Sequence, residues 1–240
     1  MKVTVAAFAY NERPYIPYMV EYYRSQGCDL LILDNYSNDG TYEWLMDNEV
    51  KTVRVDTNES FHLMKLQAAL VHELKKVNPD WVVYCGVDCY YFFEETIIQE
   101  IMKAERYKRN AIETNHFSMF NTGEQFQLPF PTSYFYGARH RTLRMIAKYD
   151  PNRFRISADW VYLEREVIKL YTSSGVFINY GMCKPKHERE KTYERRQKAW
   201  MLGERRGHGV HYAPAQERNW IWDKESLEDI RSTEFYKMIK

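Results

Sequence analysis

Polar side chains gather just beyond two apolar runs near the start of this chain. VTVAAFA leads into Tyr10, Asn11 and Glu12, and LLIL leads into Asp34, Asn35, Ser37, Asp39 and Gly40. Carboxylate, amide and hydroxyl groups at the carboxyl end of a strand suit the reading of a base or a ribose. The same residues also make good turn and helix-cap chemistry, and spacing alone leaves both readings open. Lys65, in a helical stretch after the third apolar run, is placed to point at phosphates, although a solvated lysine fits its position equally well. Cys85 and Cys89 have a C-x3-C spacing without a second pair to complete a zinc site. With Cys28 and Cys183 they read as reduced thiols and not as a disulfide framework. Neither G-x-x-x-x-G-K-S/T nor G-x-G-x-x-G nor G-x-S-x-G occurs, so P-loop, dinucleotide and serine-hydrolase chemistries lose their main support.

The elements that must position these groups alternate over the first 115 residues. Short β-type runs are expected at 3–9, 30–34, 50–55, 81–86 and 111–115, with helices at 15–26, 64–76 and about 95–107. Gly27 caps the first helix and Pro79 lies just beyond the second. This is the pattern of a parallel sheet with crossover helices, whose ligand sits beyond the carboxyl ends of the strands. Residues 122–131 turn loop-like. Asp159, ahead of an apolar-periodic stretch read as a helix over 160–170, has the position of an N-cap.

Composition bounds the function classes. The 240 residues carry 34 basic and 33 acidic side chains, with 45% hydrophobic and 28% charged residues, which fits neither a nucleic-acid coat, an acidic tail nor a disordered linker. No apolar run reaches the length of a membrane span, and no export signal is evident, so a soluble, cytoplasmic protein is expected. Two basic stretches stand out: Arg139, Arg141, Arg144, Lys148, Arg153 and Arg155 against Asp150 alone, and residues 184–206. They read as solvated faces or as docking surfaces for a second substrate.

The motifs, taken together and in order, resemble the inverting family 2 glycosyltransferases with the GT-A fold. "YNE" and "LDN-x-S-x-DGT" are similar to that family's opening. NPDWVVYCGVDCYYF is similar to its D-x-D strand, and SADWVYLERE to its ED-x-x-L-x-x-R segment. The resemblance implies an α/β GT-A domain over 1–183, with a nucleotide-binding half at 1–115 and an acceptor half at 116–183. A mixed, mostly parallel sheet flanked by helices is implied, with a C-terminal helical extension or lid over 184–240. It further implies a nucleotide-sugar site of Ala9, Tyr10, Asn11, Glu12, Asp34, Asn35, Lys65, Val87 and Asp88.

In such enzymes the D-x-D carboxylates hold a divalent cation, manganese or magnesium, against the diphosphate. Here Gly86 stands at the first position and only Asp88 remains. Asp88 and His187 are the implied ligands, with Asn179 and His211 competing for the second place, while His208 and His211 could instead form a lid hinged on nearby glycines. Asp159, with Ala158 in place of the family's Glu, is the implied general base. The expected activity is inverting, metal-assisted hexosyl transfer from a UDP-sugar to a hydroxyl of a saccharide or other acceptor. Two alternatives stand beside it: a catalytically retired nucleotide-binding protein, and transfer to a modified base of a nucleic acid held by the basic stretches.

Overall fold

Strands that are covered on both faces read as near-continuous apolar runs, and the first strand follows this with Thr4 as its one polar residue. In β1 (Val3–Ala9), Val5 and Ala7 enter one buried cluster while Ala6 enters the other. The computed structural model describes residues 1–58, 60, 62–122, 125–156, 161–163, 167–201, 225 and 227–239. The chain continues through α1 (Ile16–Ser25), β2 (Asp29–Asp34), α2 (Thr41–Asp47), β3 (Lys51–Arg54), α3 (Leu63–Val77), β4 (Trp81–Tyr84), β5 (Cys89–Phe92) and α4 (Ile97–Arg106). Next come β6 (Ala111–Phe120), β7 (Tyr136–Lys148), β8 (Phe154–Ile156), β9 (Val161–Leu163) and β10 (Leu170–Met182). The described chain closes with α5 (Lys186–Met201), β11 (Glu228–Asp229) and α6 (Tyr236–Ile239).

The main sheet runs β3-β2-β1-β4-β7-β6-β10-β5, with β11 beside β7. Its first four strands are parallel, so their carboxyl ends share one edge. β7 runs antiparallel to both β4 and β6, and β10 lies parallel to β6 and antiparallel to β5. This is the mixed α/β sheet flanked by helices of the GT-A type.

α1 buries Ile16, Met19, Val20 and Tyr23, the i, i+3, i+4, i+7 stripe of a helix laid on a sheet. Gly27, at φ 79°, ends it in the left-handed conformation that glycine accepts without strain. α3 closes on the other face with Leu70 and Leu74. α4 opens on a capping box, in which the Thr96 hydroxyl accepts from Gln99 N and the Gln99 side chain accepts from Thr96 N. The expected strands and helices before residue 115 are all present, each within a few residues of its expected ends except that β6 extends to Phe120.

One expectation is corrected. No helix spans 160–170: Val161–Leu163 is β9, paired antiparallel with β8, and β10 begins at Leu170. Val161 and Leu163 alternate inward onto the cluster that holds Leu70, Val82 and Tyr84, so period two governs here in place of the helical period. α5 follows in the C-terminal segment as expected, and farther on Ile230 and Phe235 bury themselves in the main core. Among the described residues no helix is long and apolar enough to cross a membrane.

Trp81 is fully buried at the start of β4, and its indole N–H donates to Glu105 Oε1 at 3.0 Å. Trp81→Ala should lower stability by about 3–5 kcal/mol through the cavity it leaves, read as a fall in the urea midpoint.

Candidate active site

Parallel pairing sets the last residues of three strands side by side. Ala9 lies opposite Asp34, and Asp34 lies opposite Arg54. Asp34 is completely buried. Its Oδ2 accepts from Ser37 N at 3.1 Å and from Arg54 Nε at 3.3 Å, while Oδ1 has no hydrogen-bond partner among the described residues. The Arg54 guanidinium is itself stacked over Tyr36 and Tyr42, with ring centroids 5.0 and 4.0 Å away. An unmet buried acceptor is costly, and this one lies at the carboxyl ends of the parallel strands.

The polar run after β2 does both of the jobs its sequence allowed. Ser37 Oγ accepts from Asn11 N at 2.9 Å, Thr41 Oγ1 from Glu12 N at 2.9 Å, and Asp39 Oδ2 from Arg13 N at 3.0 Å. These bonds stitch the turn after β1 to the turn after β2. They hold Asn11 at φ 55°, with its own Oδ1 accepting from Asn38 N. Asn35 is buried in a local network, donating to the Ser60 carbonyl and accepting from the Thr57 hydroxyl. Lys65 donates to the Asp56 carbonyl at 2.6 Å and so turns toward its own loop. Tyr10 lies under the guanidinium of Arg195 from α5, 3.2 Å from the ring centroid, and Arg195 also donates to the Ser60 carbonyl.

Beyond Glu12 the site becomes ionic. Lys184, which follows β10, reaches back so that Nζ lies 2.9 and 2.7 Å from the Glu12 carboxylate oxygens and 3.0 Å from Asp88 Oδ2. The ammonium also sits 4.6 Å from the Tyr15 ring centroid, and the Tyr15 hydroxyl donates to Glu188 Oε2 at 2.6 Å. Burial pushes the Glu12 carboxyl up from 4.5 to about 7, against the pull of Lys184 and with Asp88 adding repulsion. Burial also works against the Asp88 charge, yet Lys184 and the Cys89 thiol hold that carboxyl below its usual value. Lys184 is buried, but the two carboxylates outweigh the loss of solvent and raise its pKa. The cluster therefore holds a firm Lys184–Asp88 ion pair, and Glu12 is its titrating member.

This donor set does not fit the expected divalent cation. Asp88 Oδ2 faces the ammonium, and Oδ1 receives the Cys89 thiol at 3.4 Å. A Cβ at Gly86 would stand 2.9 Å from Asp88 Oδ1, and one at Gly181 would stand 3.0 Å from Oδ2, so a second carboxylate at position 86 requires Asp88 to move from where it now lies. The expected ligand His187 has a largely exposed side chain, its Nε2 lying 3.9 Å from Glu188 Oε1. Asn179 Oδ1 accepts from Gly181 N in a tight turn. Among the described residues no group of three or more His, Cys, Asp or Glu could hold a metal ion. Asp88 thus faces Lys184 and not the expected second ligand His187.

Val87 is buried beside the cluster. Asp159, His208 and His211 lie outside the described residues. Cys85 is buried, and burial pushes its thiol up to about 12. The first basic stretch is partly neutralised, Arg139 by Glu228 and Glu234, Lys148 by Glu105 and Arg153 by Asp150.

The model of glycosyl transferase family 2 matches residues 4–170, which hold the carboxyl ends of β1, β2 and β3 and the Asp88 turn between β4 and β5. The chain belongs to glycosyl transferase family 2. No curated protein matches it. Among solved structures it is similar to Staphylococcus aureus TarS 1–349, at 13% identity and a TM-score of 0.44, covering 88% of this chain and 68% of that one. It is also similar to a longer TarS chain, at 15% and 0.43, covering 88% and 41%. TarS 1–349 in complex with UDP-GlcNAc gives 12% and 0.44, covering 88% and 69%.

In this family 2 chain the sequence motifs pointed to Glu12, Asp34 and Asp88 but missed their partners Arg54 and Lys184. The signal for Arg54 was available, since strands 30–34 and 50–55 in parallel register bring the ends of both together. Lys184 carried no local signal: it precedes a proline at the head of a charged run and meets Glu12 across 172 positions.

Glu12 keeps its proton in the folded protein at pH values where the unfolded chain has lost it. Its contribution to stability is complete below pH 4.5 and lost as pH rises through about 7. Stability of the wild type relative to Glu12→Gln should therefore fall across that window, by roughly 1 kcal/mol per pH unit. Urea midpoints at pH 5 and pH 7.5 measure the difference, and equal differences at both values would contradict it.

Proposed function

We propose that this chain transfers a sugar from a uridine diphosphate sugar to an acceptor hydroxyl with inversion at the anomeric carbon. Family membership supports glycosyl transfer, and the buried Asp34 Oδ1, which has no hydrogen-bond partner among the described residues, is the observation that carries the choice of donor. Uracil offers an imide N–H where cytosine offers an acceptor, so a fixed carboxylate there favours the first over the second. Arg54 Nε, 3.3 Å from Oδ2, fixes the orientation of that carboxylate, and Tyr36 and Tyr42 hold Arg54 in turn.

The chemical step is a single displacement. The acceptor oxygen attacks the anomeric carbon, its proton passes to a carboxylate, and the bond to the diphosphate breaks with its electron pair leaving on phosphate oxygen. Asp159 is the residue proposed for the proton, on the strength of its motif. The expected manganese or magnesium has no part in this reading, because the groups around Asp88 do not suit it. The acceptor is taken to be a saccharide or another hydroxyl compound, and the segment over 184–240 to form part of its surface.

UDP and uridine should each raise the melting temperature of the wild type, with CDP weaker. Asp34→Asn should weaken uridine binding by about tenfold or more, the loss of one charge-assisted hydrogen bond. Asp159→Asn should bind UDP as the wild type does and lose UDP-sugar turnover by at least about 100-fold. Binding without turnover in the wild type would identify a retired enzyme, and equal binding of UDP and CDP would remove Asp34 as the base reader.

A further inference from the structure

A diphosphate leaving group needs positive charge beside it, and the metal-ligand arrangement that the motifs imply is not built here. We infer that Lys184 supplies that charge, so that this chain binds and releases its nucleoside diphosphate without a divalent cation. The inference rests on the nucleotide-sugar reading and adds to it the residue that faces the phosphates.

Position is the first argument. From the base-reading carboxylate a continuous set of contacts leads to the ammonium: Ser37 N donates to Asp34 Oδ2, Asn11 N donates to Ser37 Oγ, and the next residue, Glu12, binds Lys184. A nucleotide whose base meets Asp34 carries its phosphates along this same rim, over the ends of β1 and β4. Among the described residues, three other cations of the rim have partners of their own. Arg54 binds Asp34, Lys65 turns to the Asp56 carbonyl, and Arg195 covers Tyr10.

Steric complementarity is the second. A Cβ at Gly86 or at Gly181 would crowd one or the other oxygen of Asp88, so a second acid at position 86 requires the Asp88 side chain to shift. The missing acid and the inserted ammonium are two halves of one arrangement, with Asp88 turned from cation ligand to lysine holder. Fixation is the third. Two carboxylates and the Tyr15 ring hold Nζ, and the side chain keeps 10% of its surface open, so the charge is set in place before a ligand arrives.

In the transfer step the bond from anomeric carbon to β-phosphate oxygen breaks, and the electron pair stays on that oxygen. In the free protein the three N–H groups of Lys184 face Glu12 and Asp88, so Lys184 exchanges one Glu12 contact for a hydrogen bond to that oxygen and keeps its proton. No metal and no further co-reactant enters the balance.

The test is calorimetric titration of the full-length chain with UDP and with uridine, in EDTA and in manganese chloride. UDP affinity should be the same within about twofold in the two buffers, and UDP should bind more tightly than uridine in both. Lys184→Met should abolish most of the gain of UDP over uridine, a loss of roughly tenfold or more, while uridine binding stays. Removing Lys184 leaves acids buried without a partner, so Lys184→Met/Asp88→Asn is the companion variant if the single one does not fold. The comparison of buffers needs no variant at all. UDP binding that requires manganese would overturn the role of Lys184 and leave the nucleotide reading standing. Failure of both UDP and uridine to bind in either buffer would overturn that reading together with the inference.

Discussion

One buried ammonium ties this molecule's working edge together. Lys184 joins the turn after β1, through Glu12, to the turn after β4, through Asp88, and it does so from the far end of β10. Strands that are distant in sequence, and that lie in the parallel and mixed parts of the sheet, therefore share one electrostatic joint. Taking three ionisable groups out of water is expensive, and mutual attraction offsets that cost only when the geometry is close. The distances of 2.7 to 3.0 Å meet that condition.

The neighbouring half of the edge is built differently. Around Asp34 the polar groups are mostly spoken for by backbone, and the turns after β1 and β2 are laced by Ser37, Asp39 and Thr41. What is left over is a single carboxylate oxygen with nothing to accept. The two ends are thus built differently: one carboxylate held by a guanidinium and a backbone N–H at one end, one ammonium held between two acids at the other. α5 spans both, with Glu188 on Tyr15 and Arg195 on Tyr10.

Much of the fold could be read in advance where periodicity and punctuation agreed. β1, β2 and β4 are short apolar runs, α1 has its buried stripe and Gly27, and α3 ends at Asn78 before Pro79. The later strands were obscured by their composition. β7 carries arginines and a histidine in alternation and reads as a basic surface, while β10 passes through Ser173, Ser174 and Gly175 before its apolar half. β9 is three residues long, too short for its period to be distinguished from a helical one. In the site, motifs located the acids because acids are what motifs record. They could not locate a lysine whose role depends on folding back over 172 positions.

The tightness around Asp88 also governs how this site can change. Adding a side chain at Gly86 drives it into an oxygen that Cys89 and the neighbouring ammonium already constrain, and Gly181 closes the opposite side. Removing Lys184 alone strands two acids. Each single step toward a paired-acid arrangement is uphill, and only a coordinated set of replacements crosses between the two designs. Positions 12, 86, 88, 181 and 184 form an epistatic unit, in which the effect of any one substitution is decided by the residues at the other four.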